Sequence, residues 1–421
     1  MQYERTVLAN GLRIVTAEMP YALSVSTQVF LNCGSRDERK EINGISHFIE
    51  HMLFKGTEMR PTAKEISEAV EGIGGVLNAE TGKEATVYWA KVAHAHWLVA
   101  IDVLTDIVLH SRFQPEEIEK ERKVIVEELN MLADTPQDWV HILFDEALWG
   151  DQPLGRDVAG TKESVGHVTR QQMLRYWEDY YSPANAVVAV AGPVDHRRIV
   201  EQMDSFLGNW PARNPAPAVV HDAPPTPSRV RVQNRKTEQA HVCLGFPGLS
   251  YVHPDRFVLD LINVVLGEGM SSRLFLEIRE KRGLAYDVHS YVNHYRDAGA
   301  AIVYAGVDPK RIEPAIEATL QEIDRLKTGV PPAELTKAKE FWKGRLLLRL
   351  EDTRSVASWM GGQELLLNRI YSPEEVVDII EAISDEDVRR VADEVFVNSR
   401  LNLAVVGPFP REGKFLKLLQ S

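Results

Sequence analysis

Residues 44–57 read GISHFIEHMLFKGT. Ile45, Phe48, Ile49, Met52 and Leu53 follow i, i+3, i+4 spacing and predict a helix whose apolar stripe faces a core. His47, Glu50 and His51 fall at i, i+3 and i+4, so they share the opposite face within about 100° of arc. Two histidines one turn apart can ligate one tetrahedral metal ion, and imidazole donors make zinc the natural choice. Zinc lowers the pKa of bound water to about 7, and a carboxylate beside it can take the remaining proton. The pattern H-x-x-E-H is the inverse of H-E-x-x-H and is found among catalytic signatures. A chance pattern on a solvated helix is the competing reading, and a third protein ligand is needed to decide against it.

That ligand should be a buried acid elsewhere. Pro115 suits the first turn of a helix running to about Leu132, with an inward stripe of Ile118, Ile125 and Leu132. Glu121 and Glu128, also seven apart, fall beside that stripe on one face. Acids at half-buried positions are costly unless paired or bound to metal. Glu127 competes, but it lies about 100° from Glu128 and four residues after Lys123, where an exposed ion pair accounts for it. The spacing therefore favours Glu128 as ligand, with Glu121 as the carboxylate that orients a ligating histidine. A solvated charged face is the alternative for both acids.

Outward from these helices, 421 residues exceed one ordinary core, so two or three domains are expected. A hydrophobic fraction of 44% with 26% charged residues suits a soluble globular chain. No apolar run reaches about 18 residues, so no membrane insertion is expected. The net charge of −13 argues against non-specific nucleic-acid binding. The opening stretch MQYERTVLANGLRIVTAEMP has no basic-then-apolar leader pattern. It reads as strand, turn at Asn10-Gly11, strand, a start that suits a cytoplasmic protein or an already mature chain; a cytoplasmic, prokaryotic protein is expected. Cys33 and Cys243 are too few for a disulfide framework and read as small core residues.

The Pro- and Ala-rich stretch NWPARNPAPAVVHDAPPTPSRV (209–230) has no helical or alternating pattern and reads as a linker. The expected division is 1–210, a linker at 211–228, and 229–421. The two halves echo each other. FQPEEIEKERKVIVEELNMLADTP (113–136) is matched by VPPAELTKAKEFWKGRLLLRLEDTR (330–354). VTRQQMLRYWEDYYSPANAVVAVAGPVD (168–195) is matched by ISDEDVRRVADEVFVNSRLNLAVVGPFP (383–410). Residues 74–92 alternate as strands, while 312–327 carries helical periodicity. Without a regular βαβ rhythm, each half is expected to be an α+β domain, helices on one side of a largely antiparallel sheet.

These motifs together resemble the pitrilysin/insulinase family of inverted zinc peptidases, particularly the processing-peptidase β-subunit branch and its bacterial relatives. The similarity runs through CGSRDE, HFIEHMLFKGT, LNAETGKEATVYWAKV and VIVEELNMLADTPQD and continues into the second half. The resemblance implies one zinc ion held by His47, His51 and Glu128, with Glu50 as general base. It implies an endopeptidase acting on short or unfolded peptides in a closed chamber. Asn78 and Ala79 would contact the substrate backbone along an edge strand. Family members often carry an aromatic residue next, whereas this chain has Glu80, a departure that favours a basic substrate residue.

Processing peptidases place acids ten and fourteen positions after the zinc glutamate; here those positions hold Asp138 and Ile142, half of that reader. The second half lacks H-x-x-E-H, with Leu259, Ile262 and Asn263 at the overlaid positions, and is expected to be metal-free. By charge pattern alone, Arg279 belongs to a charged helix and Tyr286 to the strand after Gly283. The resemblance instead makes them a pair that binds substrate carbonyls and stabilises the oxyanion. Since long family members carry both motifs in one chain, a half-length chain is expected to be a homodimer. A heterodimeric processing subunit and a non-catalytic scaffold of the same fold are the other readings.

Overall fold

The computed structural model describes residues 2–213 and 229–419; the expected linker, apart from residues 211–213, lies outside the described residues. Contacts divide the chain into two compact units. The first comprises the described residues within Met1–Leu129, Arg156–Val219 and Leu347–Pro373. The second comprises those within Asn130–Gly155, Val220–Leu346 and Glu374–Ser421. Each unit thus takes a segment from the opposite half of the sequence.

The first unit is built on six strands: β1 (Glu4–Val7), β2 (Arg13–Glu18), β3 (Ser24–Leu31), β4 (Val76–Thr81), β5 (Thr86–Ala93) and β6 (Ala186–Gly192). Their order is β1-β2-β6-β3-β5-β4, antiparallel except for the β2–β6 pair. The β1–β2 hairpin turns where the sequence places it, with Gly11 at φ +91° and Asn10 Oδ1 accepting from the Leu12 amide at 3.1 Å. β6, AVVAVAG, is buried on both faces, which explains its unbroken apolar run. One face packs Val25, Val29, Leu31 and Ala90 against helix α1 (Ile45–Leu53) and the helix Trp97–His110.

The opposite face of that sheet is covered by the helix Thr353–Leu367, whose Val356, Ala357 and Met360 meet Val15, Phe30, Val187 and Ala189. A Cβ on Gly361 would stand 2.1 Å from the Phe30 ring, so this helix approaches as closely as only glycine permits.

The second unit repeats the pattern with β7 (Val230–Asn234), β8 (Ala240–Pro247), β9 (Ala285–His294), β10 (Gly299–Val307) and β11 (Asn402–Gly407). The order β7-β11-β8-β10-β9, with β7–β11 alone parallel, is the first sheet without β1. The duplication read from the sequence is therefore present strand by strand. Here the helix Pro136–Trp149 lies on the sheet, seating Val140, Phe144 and Leu148 against Cys243, Ile302 and Val406.

The fold is α+β as expected, with one addition. Each sheet carries, on the face its own helices leave open, a helix from the other half of the sequence. Helical periodicity reveals an apolar stripe but not which sheet it covers. The long helix runs Pro115–Asp134, and its buried positions are Ile118, Glu121, Ile125 and Leu129. Leu129 is thus buried, whereas Leu132, expected on the inward stripe, is only half-buried. α1 stops at Leu53 rather than continuing to residue 57, since Gly56 sits at φ +130°. The helix Ile312–Lys327 matches its expected bounds, and Cys33 and Cys243 are both buried, neither in a disulfide among the described residues. Among the described residues no helix is long and apolar enough to cross a membrane.

Candidate metal centre

α1 begins on a buried acid that the sequence reading did not single out. Glu38 accepts from the amides of Gly44 (2.7 Å) and Ser46 (2.8 Å) and from Asn43 Nδ2 (2.8 Å). It thereby satisfies donors that a helix N-terminus leaves unpaired. Burial pushes its carboxyl up to about 7, against the pull of those hydrogen bonds.

From this anchored helix His47 and His51 project side by side, ring centroids 4.6 Å apart. Glu128 comes from the long helix, its Oε2 3.9 Å from His47 Nε2 and 3.6 Å from His51 Nε2. Donor atoms of all three residues lie within 4.8 Å of one another, the one such group of His, Cys and acids among the described residues. Metal–ligand bonds of about 2.0–2.2 Å at tetrahedral angles place ligand atoms about 3.4 Å apart, so this set fits zinc with a fourth position open.

The residues around the trio bear on its chemistry. Buried Glu121 places Oε2 3.0 Å from His51 Nδ1, and its Oε1 pairs with Lys55 Nζ at 2.6 Å. His51 is thus held through Nδ1, leaving Nε2 turned toward Glu128. His47 Nδ1 is buried with no hydrogen-bond partner among the described residues. Burial, then the charge of His51, pushes the His47 pKa down to about 4, which keeps its ring neutral and able to bind a metal at neutral pH. Glu127 is exposed and, among the described residues, forms no ion pair with Lys123.

Glu50, half-buried between the histidines in sequence, accepts a hydrogen bond at Oε2 from Thr81 Oγ1 of β4. Burial raises its pKa; the Thr81 bond and the charge of His51 oppose this, and the charges of Glu80 and Glu128 add to it. Strand alternation from Ala79 could have pointed to Thr81, since both lie on the face of β4 that meets α1.

Among the described residues β4 is the edge of its sheet and pairs only with β5. Ala79 is half-buried against the core, whereas Asn78 and Glu80 are exposed on the other face. Asn78 Oδ1 accepts from the Ala79 amide at 2.8 Å.

In the second unit Arg279 and Tyr286 are together. Arg279 rides a π-helical segment, Phe275–Lys281, its guanidinium 4.8 Å from the ring centroids of both Phe275 and Tyr286. Tyr286 falls where the β9–β10 register slips between Gly306 and Val307, and it is 74% exposed. π-turns and β-bulges both re-aim side chains and recur at functional sites. Asp138 is exposed on the helix Pro136–Trp149, also in the second unit. The helix Arg256–Gly267 follows β8 as α1 follows β3, and in it Leu259 and Ile262 are buried while Asn263 Oδ1 accepts from Ser290 Oγ at 2.6 Å.

Residues 13–162 match the insulinase (peptidase family M16) model, and residues 167–341 match the M16 inactive-domain model. An uncharacterized zinc protease of Streptomyces coelicolor is 40% identical over 411 residues, covering 96% of this chain and 89% of that one. The chain belongs to peptidase family M16. A second M16 relative, an uncharacterized zinc protease of Bacillus subtilis, is 38% identical over 406 residues, covering 96% of this chain and 98% of that one. The crystal structure of a Helicobacter pylori protease superposes with a TM-score of 0.92 at 24% identity, covering 97% of this chain and 99% of that one. An M16 inactive-domain structure from Pseudomonas fluorescens gives 0.90 at 18%, with the same coverage. Both share the fold. All three metal-type donors, His47, His51 and Glu128, fall inside the segment matched by the insulinase model.

Proposed function

We propose that this M16 chain is a zinc-dependent endopeptidase. The observation that carries the reading is the convergence of His47, His51 and Glu128 beside Glu50. His47, His51 and Glu128 hold one zinc ion, and Glu121 orients His51. Zinc, when bound, supplies Lewis acidity and makes water nucleophilic at neutral pH. Glu50 takes the proton of the attacking water and returns it to the leaving amine. A carboxyl whose pKa is raised by burial is suited to both directions of that transfer.

The substrate is a short or unfolded peptide in a closed chamber, added as a further strand along β4, with Asn78 and Ala79 at its backbone. Glu80 favours a basic side chain, and Asp138 supplies a second acid to basic substrates. Arg279 and Tyr286 donate to the substrate carbonyl as it becomes an oxyanion, and they act across a homodimer. Residues 1–210 form the catalytic domain and 229–421 the metal-free one. A cytoplasmic site of action accompanies this reading.

The test is mass-spectrometric digestion of an unstructured basic peptide by the zinc-loaded protein beside Glu50→Gln. Cleavage by the former and none by the latter is expected. Equal cleavage by both, or none by either with zinc bound, would sink the proposal.

A further inference from the structure

We propose that the first unit carries a carboxylate-binding subsite for its peptide, set in the cavity beside the helix Thr353–Leu367. The identity of the ligand as a peptide rests on the peptidase reading above. The cavity encloses about 510 Å3 and is lined by strands β3, β4 and β5 and by residues 349–358. Its apolar wall is Phe30, Val87 and Trp89, and its charged groups are Glu80, Arg349, Asp352 and Arg354.

Most of the polar lining is already engaged. Asp352 accepts from the Ser355 amide at 3.0 Å, capping the helix, and pairs with Lys91. Gln28 donates to the Arg354 carbonyl at 2.8 Å and accepts from Ser358 Oγ at 3.1 Å. The two guanidiniums are different. Among the described residues, neither Arg349 nor Arg354 pairs with a carboxylate. Both are exposed, as are Arg112 and Arg170 of this unit, which also lack a carboxylate partner, whereas the more buried Arg13, Arg36 and Arg60 each have one. Arg354 stacks on Trp89, 3.8 Å from the ring centroid. Stacking restrains the plane of the guanidinium while its N–H edge remains able to grip a carboxylate in bidentate fashion.

The cavity is continuous with the strand that would bind substrate. Glu80 and Gly82 line it, and Glu80 lies one residue before Thr81, which holds Glu50 from the other face of β4. Side chains alternate along a strand, so a peptide added to β4 sends every second residue to the Glu80 face. Glu80 disfavours an acid beside itself, which directs a substrate carboxylate to the arginines. That carboxylate is either an Asp or Glu side chain or the terminal group of a peptide cut near its end.

Binding to the Glu50→Gln protein, followed by Trp fluorescence and calorimetry, tests this without turnover. The probes are one peptide in four forms: with a free or amidated C-terminus, each with an internal Glu or Gln. Replacing Arg349 and Arg354 by Gln should weaken the doubly carboxylated form about tenfold and leave the form lacking both carboxylates unchanged. Weakening by amidation alone assigns the terminal group; weakening by Glu→Gln alone assigns the side chain. A double Arg→Glu variant should prefer a Lys-containing peptide over the Glu-containing one. Unchanged binding of all four forms, equal loss for all four, or no reversal in the double Arg→Glu variant overturns the subsite. Carboxylate-dependent binding without cleavage by the zinc-loaded wild type would instead sink the peptidase reading and leave the subsite standing. Cleavage that is blind to carboxylates removes the subsite alone.

Discussion

His51 and His47 present their rings to one point under different constraints. Glu121 holds His51 through Nδ1 at 3.0 Å, while His47 Nδ1 has no hydrogen-bond partner among the described residues. Carboxylates placed in this way orient the ring and raise its basicity, and their loss costs about 10–100-fold in metal affinity. Glu121→Gln should therefore lower zinc affinity by that factor in competition with a chromophoric chelator, whereas Glu127→Gln should not change it. Equal affinities for the two variants would remove Glu121 from the metal centre. Glu50, the proposed proton-transfer group, is tuned from β4. The Thr81 hydrogen bond favours the ionised form of Glu50 and so lowers a pKa that burial raises. Thr81→Val removes that restraint, the pKa rises further, and the ionised base is lost at a higher pH. The acid limb of the kcat/KM profile should move upward in pH, and an unmoved or downward-shifted limb would contradict the role given to Thr81.

At the scale of elements, α1 depends on Glu38, and the pH dependence of that support has a definite sign. The carboxyl is pushed up to about 7 in the folded protein, above the ordinary 4.5. The folded state then binds more protons than the unfolded one between these values, so the contribution of this group falls as pH rises through that window. The melting-temperature advantage of wild type over Glu38→Gln should shrink between pH 5 and pH 7.5; a gap that widens would reverse the argument. The helix Thr353–Leu367 offers an internal comparison. Ala at position 361 would drive a Cβ into Phe30, whereas at Gly362 nothing lies within 4 Å of the new atom. Gly361→Ala should destabilise by about 1–3 kcal/mol through overpacking. Gly362→Ala should stabilise by up to about 1 kcal/mol through helix propensity. Chemical denaturation of the two single variants checks both, and equal effects would mean the helix does not pack as described.

For the whole molecule, legibility followed the range of the interaction. His47, Glu50 and His51 could be read because one helical turn brings them together, and Glu121 and Glu128 because their spacing repeats the same face. The duplication could be read because the two echoes preserve the order of elements along the chain, whereas the order of strands within each sheet could not. Thr81 and Lys55 escaped because each reaches its partner across the fold, and Glu38 because it caps α1 from the loop just before it, where no periodicity applies. The two covering helices escaped because periodicity names a buried face without naming what buries it. Arg279 and Tyr286 lie between these cases, seven residues apart in sequence but presented by a π-turn and a bulge that no spacing rule encodes. Their proposed action across a homodimer has a complementation test. Glu50→Gln and Arg279→Ala chains are each expected to be inactive alone. Mixed under conditions where subunit exchange is shown by mass spectrometry, they should recover up to about a quarter of wild-type activity per site, because statistical mixing makes half the dimers hybrid and each hybrid has one intact site of two. Recovery would place the arginine of one chain in the service of the other's glutamate. Exchange without recovery would mean that each chain completes its own site, and the dimer would lose its catalytic rationale.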